Sequence, residues 1–230
     1  MIRAGAAESR AVTDALLGGL AAGQWRPEAW ARFIVATLGR SGRTALDHPR
    51  AVAELTALHG ALAAVGRGRG WRWVTVSWIL AVTHLGLLGP RRSIGLASAV
   101  TILRANLPAV AVLDRPALGV AALCSDKVDG ILARRAGPTA FGHYADSLAD
   151  AAFWAWFALR HEPDRRLVAA AAAAWVAPVA MVTAGSFAQG RMIDPPRPVW
   201  LRPAAGMQAL IAFRALQRGR LRSRPGRLRP

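Results

Sequence analysis

"SDKVDGILARRAGPTAFGHYADSLAD", residues 125–150, places four aspartates, Asp126, Asp129, Asp146 and Asp150, in an otherwise apolar neighbourhood. The chain has 230 residues, is 53% hydrophobic and holds few acids. A charge in the hydrocarbon of a bilayer costs about 2.5–3.5 kcal/mol even on lenient insertion scales, so its default reading is functional. Asp126 and Asp129 are three residues apart and Asp146 and Asp150 four, which puts each pair on one helix face. The link "RRAGPTA" is short enough to make the two helices antiparallel neighbours whose acidic faces meet.

Four carboxylates in a low dielectric cannot all stay ionised without cations. A hard divalent ion, Mg²⁺ or Mn²⁺, is the natural solution, and two of them balance four charges. Two ions held this way suit chemistry on a phosphoryl group, because they can clamp a pyrophosphate. Gly130, Ala133 and Gly142 lie beside the acids and leave room for a ligand to approach the backbone.

The surroundings read as membrane. Residues 73–89 and 167–190 carry no charge, 94–113 only Arg104, 116–132 only Asp126, Lys127 and Asp129, and 141–159 only Asp146 and Asp150. A spanning helix needs roughly 20 mostly apolar residues. The expected fold is therefore all-α, a polytopic transmembrane helix bundle with an N-terminal amphipathic helical region. A soluble all-α bundle would keep a polar face, and residues 167–187 have almost none. Pro178 within that run is tolerated in a membrane helix. The single Cys124 rules out an internal disulfide, and residues 1–26 lack the apolar core and cleavage site of a secretory signal.

Three parts are expected: an amphipathic or interfacial region 1–70, a membrane-embedded catalytic domain 71–217 and a basic tail 218–230. The first contains two helix-like stretches, 13–38 and 51–65, separated by the polar "GRSGRTALDHPR". Net charge is +17, from 29 arginines and one lysine. The positive-inside rule and attraction to anionic lipid account for it, and without interleaved aromatics or a recognition module no nucleic-acid partner is expected. Residues 204–216 are too short to read as a span, which leaves the arginine-rich tail on the side of the "RRAGP" loop.

Asp126, Asp129-Gly130, Ala133-Arg134, Gly142, Asp146 and Asp150 together resemble the motif D-x-x-D-G-x-x-A-R, a gap of about eight, G-x-x-x-D-x-x-x-D of the CDP-alcohol phosphatidyltransferases. At this chain's own residue usage the seven positions from Asp129 onward coincide on the order of once in a hundred million starting points, so chance is negligible. The resemblance implies metal ligation by Asp126, Asp129 and Asp146. It implies Asp150 as the base that deprotonates the acceptor alcohol and as a further ligand, and a CDP site lined by Gly130, Ala133, Arg134 and Gly142. It also implies phosphatidyl transfer from CDP-diacylglycerol to an alcohol with release of CMP, a homodimer among membrane lipids, and a cell-membrane location with the active site facing the cytoplasm. Thr101, Arg104 and Pro108 resemble the family's first membrane helix.

Two departures stand out. The gap between Arg134 and Gly142 is seven residues, and only residues 167–190 form a clear span after the second motif helix, where the family has three. A spanning 73–89 would also put the N-terminal region on the far side from the catalytic loop. Arg104, Arg135 and Arg191 are candidate contacts for a phosphorylated acceptor. Two other readings stand beside the transferase: an intramembrane cation or proton transporter, since such acids line ion paths, and a non-catalytic lipid-binding relative.

Overall fold

Proline, glycine and short polar side chains set the helix ends. The computed structural model describes residues 2–110, 115–193 and 202–222. Within them the chain is all-α: α1 (Ile2–Ala22), α2 (Pro27–Asp47), α3 (Pro49–Val65), α4 (Trp71–Thr83), α5 (Gly95–Asn106), α6 (Leu118–Ala136), α7 (Ala140–His161), α8 (Arg165–Gln189) and α9 (Arg202–Arg222). Short 3₁₀ turns cover Leu85–Leu88 and Leu107–Ala109. The ends of two expected segments, 111–113 in the run from 94 and the tail from 223, lie outside the described residues, as does most of the proline-rich link before α9.

The amphipathic stretch 13–38 is two helices. Gln24 and Trp25 adopt positive φ (51° and 59°), and Pro27 restarts the helix in its first turn. The polar link after it is helical as far as Asp47, because nothing before Pro49 forbids a helix, and Ser41 anchors it by donating to the Thr83 carbonyl at 3.2 Å.

Two expected spans come out short. α4 has 13 residues and α5 has 12. At about 1.5 Å per residue each covers some 18–20 Å of a hydrocarbon core of about 30 Å. α8, with 25 residues, is the one helix among those described that is long and apolar enough to cross a membrane. Asp164 caps its start by accepting from the Arg166 and Leu167 N–H groups, and Gly190 ends it in the left-handed region at φ 62°.

The N-terminal helices do not leave the chain on the far side of the bundle, because α3 and α4 form a hairpin beside α5. At one end the Glu54 carboxylate of α3 accepts from Ser93 Oγ (2.8 Å) and Ile94 N (2.9 Å), just ahead of α5. At the other end the turn before α4 rests on Ala109, and Trp73 Nε1 donates to the Ala105 carbonyl at 2.8 Å. α3 therefore runs with α5, and α4 returns against it. The boundary expected at residue 70 falls in this turn. Gly66 and Gly70 allow the approach: a Cβ at Gly70 would lie 2.5 Å from Ala109 Cα, and one at Gly66 2.6 Å from Ala109 O.

The link between α6 and α7 reads directly from its residues. Gly137 (φ 82°) ends α6, Pro138 cannot continue it, and Thr139 caps α7 by accepting from Gly142 N at 2.9 Å. Arg91 donates to the carbonyls of Ala136 (2.9 Å) and Gly137 (3.0 Å), which ties this loop to the end where α5 begins. α7 then serves two apolar cores. Phe141 packs with Leu55, Leu85 and Ile102, while Phe153, Trp154 and Phe157 pack with Trp175 of α8 and Ile211 of α9. Asp146 and Asp150 lie between these two sets along the helix.

A second carboxylate organises the far corner. Glu162, whose side chain has no exposure, receives Arg214 Nε (2.8 Å) and Nη2 (3.1 Å), Arg218 Nη2 (2.8 Å) and the Asp164 N–H (3.1 Å). Burial alone would raise its pKa, but the hydrogen bonds from Arg214 and Arg218 outweigh it and hold the carboxyl at about 2. Residues 204–216 thus belong to a 21-residue helix whose Arg214 and Arg218 stand beside Glu162, at the opposite end of the bundle from the Gly137 loop.

Gly70→Ala is expected to lower stability by roughly 1–3 kcal/mol, the usual cost of overpacking, because backbone at Ala109 must move. Gly60→Ala, in α3 with open space around it, is the control and should be neutral or stabilising; thermal unfolding of the detergent-solubilised protein reads both. The Glu162 clamp should be fully effective above the carboxyl's ordinary value of 4.5 and be lost as pH falls through about 2. An acid titration of the unfolding midpoint checks this, and Glu162→Gln should flatten the curve in that window while speeding proteolysis of α9.

Candidate active site

α5 brings Thr101 and Arg104, three residues apart, to one face, and that face meets both acidic helices. The Arg104 side chain has no exposure and lies among four carboxylates. Its Nη1 is 3.0 Å from Asp129 Oδ2 and 3.6 Å from Asp126 Oδ1, its Nη2 donates to Asp146 Oδ1, and its Nε is 3.1 Å from Asp150 Oδ1. The Thr101 hydroxyl donates to Asp129 Oδ2 at 2.9 Å. The two acidic faces do converge, as their spacing predicts. They meet around α5, which packs closely on both α6 and α7, while those two helices touch each other much less.

Four carboxylates against one guanidinium leave three negative charges uncompensated when all are ionised. Oxygens of Asp126, Asp129 and Asp146 lie within 4.8 Å of one another. That donor set, all carboxylate oxygen, fits a hard divalent ion such as Mg²⁺ or Mn²⁺. Exposure is graded: the Asp126 side chain is 49% exposed and that of Asp129 only 8%, so the cluster has an open side and a buried floor.

Asp150 stands slightly apart. Its Oδ2 accepts from Gln208 Nε2 of α9 at 3.2 Å. Its Oδ1 is buried and faces Arg104 Nε as an ion pair with no aligned hydrogen bond. The result is a carboxylate steered through one oxygen, with the other buried against the Arg104 guanidinium.

The remaining candidate residues are less tightly gathered. Gly130 and Arg134 share a face of α6, where a Cβ on Gly130 would lie 3.3 Å from Arg134 Nη1. Ala133 is half-buried, and Arg134 and Arg135 are exposed at the end of α6. Gly142 sits where a Cβ would come within 3.1 Å of Thr139 Oγ1, the cap of its own helix, and in ordinary contact with Ser98 Oγ of α5 at 3.6 Å, so its lack of a side chain leaves room for the cap. Arg191 is exposed beyond α8, with Gln189 Oε1 at 3.3 Å from its Nε, and is not joined to the aspartates. Of the three arginines considered for an acceptor, only Arg104 enters the cluster, where it pairs with the carboxylates.

Sequence reasoning missed Gln208. The available signal was its position as the one amide in the apolar run 204–216, where a polar side chain in a packed helix calls for a partner.

No curated protein and no solved structure matches the chain. A family model does: CDP-alcohol phosphatidyltransferase, over residues 94–217, more than half the chain. That span opens at the residue whose N–H is held by Glu54, contains Arg104 and all four aspartates, and closes beyond Gln208 and Arg214. The chain belongs to the CDP-alcohol phosphatidyltransferase family.

Proposed function

We propose that this protein transfers the phosphatidyl, or a similar substituted phosphoryl, group from CDP-diacylglycerol to an alcohol acceptor and releases CMP. Family membership establishes the general activity, CDP-alcohol phosphotransfer in phospholipid synthesis. The observation that carries the finer reading is the convergence of Asp126, Asp129 and Asp146 within 4.8 Å with Asp150 alongside.

Asp126, Asp129 and Asp146 would hold Mg²⁺ or Mn²⁺, as two ions, with Asp150 as a further ligand. Bound there, the ions would supply the positive charge that polarises the pyrophosphate. The acceptor hydroxyl oxygen bonds to the β-phosphorus, the bond from that phosphorus to the bridging oxygen breaks, and CMP departs with the electron pair. Asp150, steered by Gln208 through Oδ2, takes the hydroxyl proton. Arg104 cancels one negative charge and holds the carboxylates in register, and Thr101 fixes Asp129. Gly130, Ala133, Arg134 and Gly142 would line the CDP moiety, and the exposed Arg135 and Arg191 would receive a phosphorylated acceptor.

The protein would be integral to the membrane, with α8 spanning it and the α3–α4 hairpin inserted beside α5, so that α2 and the Gly137 loop share a side. A nucleotide-activated substrate puts that side in the cytoplasm.

Asp129→Asn and Asp146→Asn should each cut CMP release from CDP-diacylglycerol by more than the roughly 10–100-fold typical of losing an outer-shell partner of a metal. Both should still elute as folded protein in detergent, and near-parental turnover in either would remove the metal assignment. Asp150→Asn should retain CDP-diacylglycerol binding and lose transfer, as binding and single-turnover measurements would show. Arg104→Gln should unfold at lower temperature than the parent without metal, yet gain more from added Mn²⁺, since the ion then meets a cluster with no internal cation.

A further inference from the structure

On the opposite side of α7 from the aspartates, α4, α5 and α7 enclose an apolar groove of about 410 Å³. Tyr144, Leu148 and Ala152 line it at four-residue spacing, and Asp146 and Asp150 lie two residues from Leu148, about 200° around the helix. The groove and the acidic cluster are therefore separated by the body of α7. Its outer wall is α4, which lies outside the stretch of chain that matches the family.

Dimension and charge identify what fits. The α4 wall runs from Arg72 to His84, about 18 Å of helix, close to the depth of one leaflet of a hydrocarbon core of about 30 Å. At about 30 Å³ per water-sized group the volume holds roughly a dozen methylenes. The rim is apolar and open, with Val76 57% and Leu80 43% exposed. Among the lining residues only Arg72, at one end, is an arginine or lysine. There the Arg72 guanidinium lies 5.5 Å over the exposed Trp71 ring, Arg67 and Arg69 precede it in the hairpin turn, and no carboxylate pairs with Arg72 among the described residues. Tryptophan beside arginine at the mouth of an apolar slot marks a bilayer interface with anionic head groups.

We propose that this groove is a second lipid site, distinct from the catalytic one, that holds one acyl chain of an anionic phospholipid with its phosphate against Arg72. The inference rests on the membrane reading above and not on the transfer chemistry. The occupant is a bilayer lipid, not the CDP-activated substrate, because a chain in the groove cannot present its phosphate to the aspartates across α7. The hairpin is thereby a lipid-binding addition to the family domain.

The test uses the full chain in phosphatidylcholine vesicles containing phosphatidylglycerol with a photoactivatable diazirine near the end of one acyl chain, with adducts mapped by mass spectrometry. Adducts are expected on Leu80, Ala81 and Tyr144 in excess over the lipid-facing residues 176–181 of α8. Unlabelled phosphatidylglycerol should compete about fivefold better than phosphatidylcholine, the factor given by one arginine at an anionic surface. Arg72→Gln, at an exposed position, should erase that preference, and Ala81→Trp should block groove labelling. Labelling of the groove no stronger than that of α8, equal competition by the two lipids, or a preference that survives Arg72→Gln overturns the proposal. CMP release on the same preparations keeps the two ideas separate: groove labelling without turnover refutes the transferase reading alone, and turnover without groove labelling refutes the lipid site alone.

Discussion

The ion contacts of Arg104 are the constraint on which the rest of this bundle depends. A guanidinium without exposure is tolerable only when its charge is met, and here four carboxylates from two other helices meet it. That requirement fixes the rotation of α5, α6 and α7 about their axes more sharply than their apolar surfaces could, because small apolar side chains pack acceptably in several rotations. The same contacts keep four like charges close together, an arrangement that would otherwise push the helices apart. Arg104 thus couples folding to the assembly of an acidic site. The excess negative charge that it leaves, all on carboxylate oxygen, suits the cluster to a hard divalent ion.

Much of this site was legible in the sequence, and the reason is local. The helical spacing of Asp126 with Asp129 and of Asp146 with Asp150 needs only a helix to place each pair, and Gly137, Pro138 and Thr139 together specify the turn that joins them. What could not be read depends on contacts between distant segments. Gln208 reaches Asp150 across 58 positions, and Arg104 could be seen as a charge in an apolar helix but not as the centre of the cluster. The break at Gly23–Arg26 was hidden for a similar reason: Gly23 packs against Ala29, and an amphipathic pattern continues through the break. The short α4 and α5 show how far apolar composition overstates helix length, since residues 73–89 and the described part of 94–113 finish in 3₁₀ turns.

The hairpin of α3 and α4 changes how the N-terminal third relates to the family domain. Taken alone, residues 73–89 imply an odd crossing that strands the preceding segment on the wrong side. Paired with α3 they make a closed excursion that begins and ends at the same end of the bundle, so the addition leaves the topology of the family domain undisturbed. Glycine at two positions makes that excursion tight. Gly66 and Gly70 let the turn rest on Ala109, at the end of the helix that carries Arg104.

The clamp at Glu162 reaches further than the corner it closes. Arg214 and Gln208 stand six residues apart on α9, so anchoring Arg214 at Glu162 also sets the height at which the Gln208 amide meets Asp150. A slip of one residue along the axis would move that amide by about 1.5 Å and swing it through about 100°, out of hydrogen-bonding range. The last helix therefore works as a ruler: its zero mark is an ion pair at the bundle's edge, and its graduation falls at Asp150.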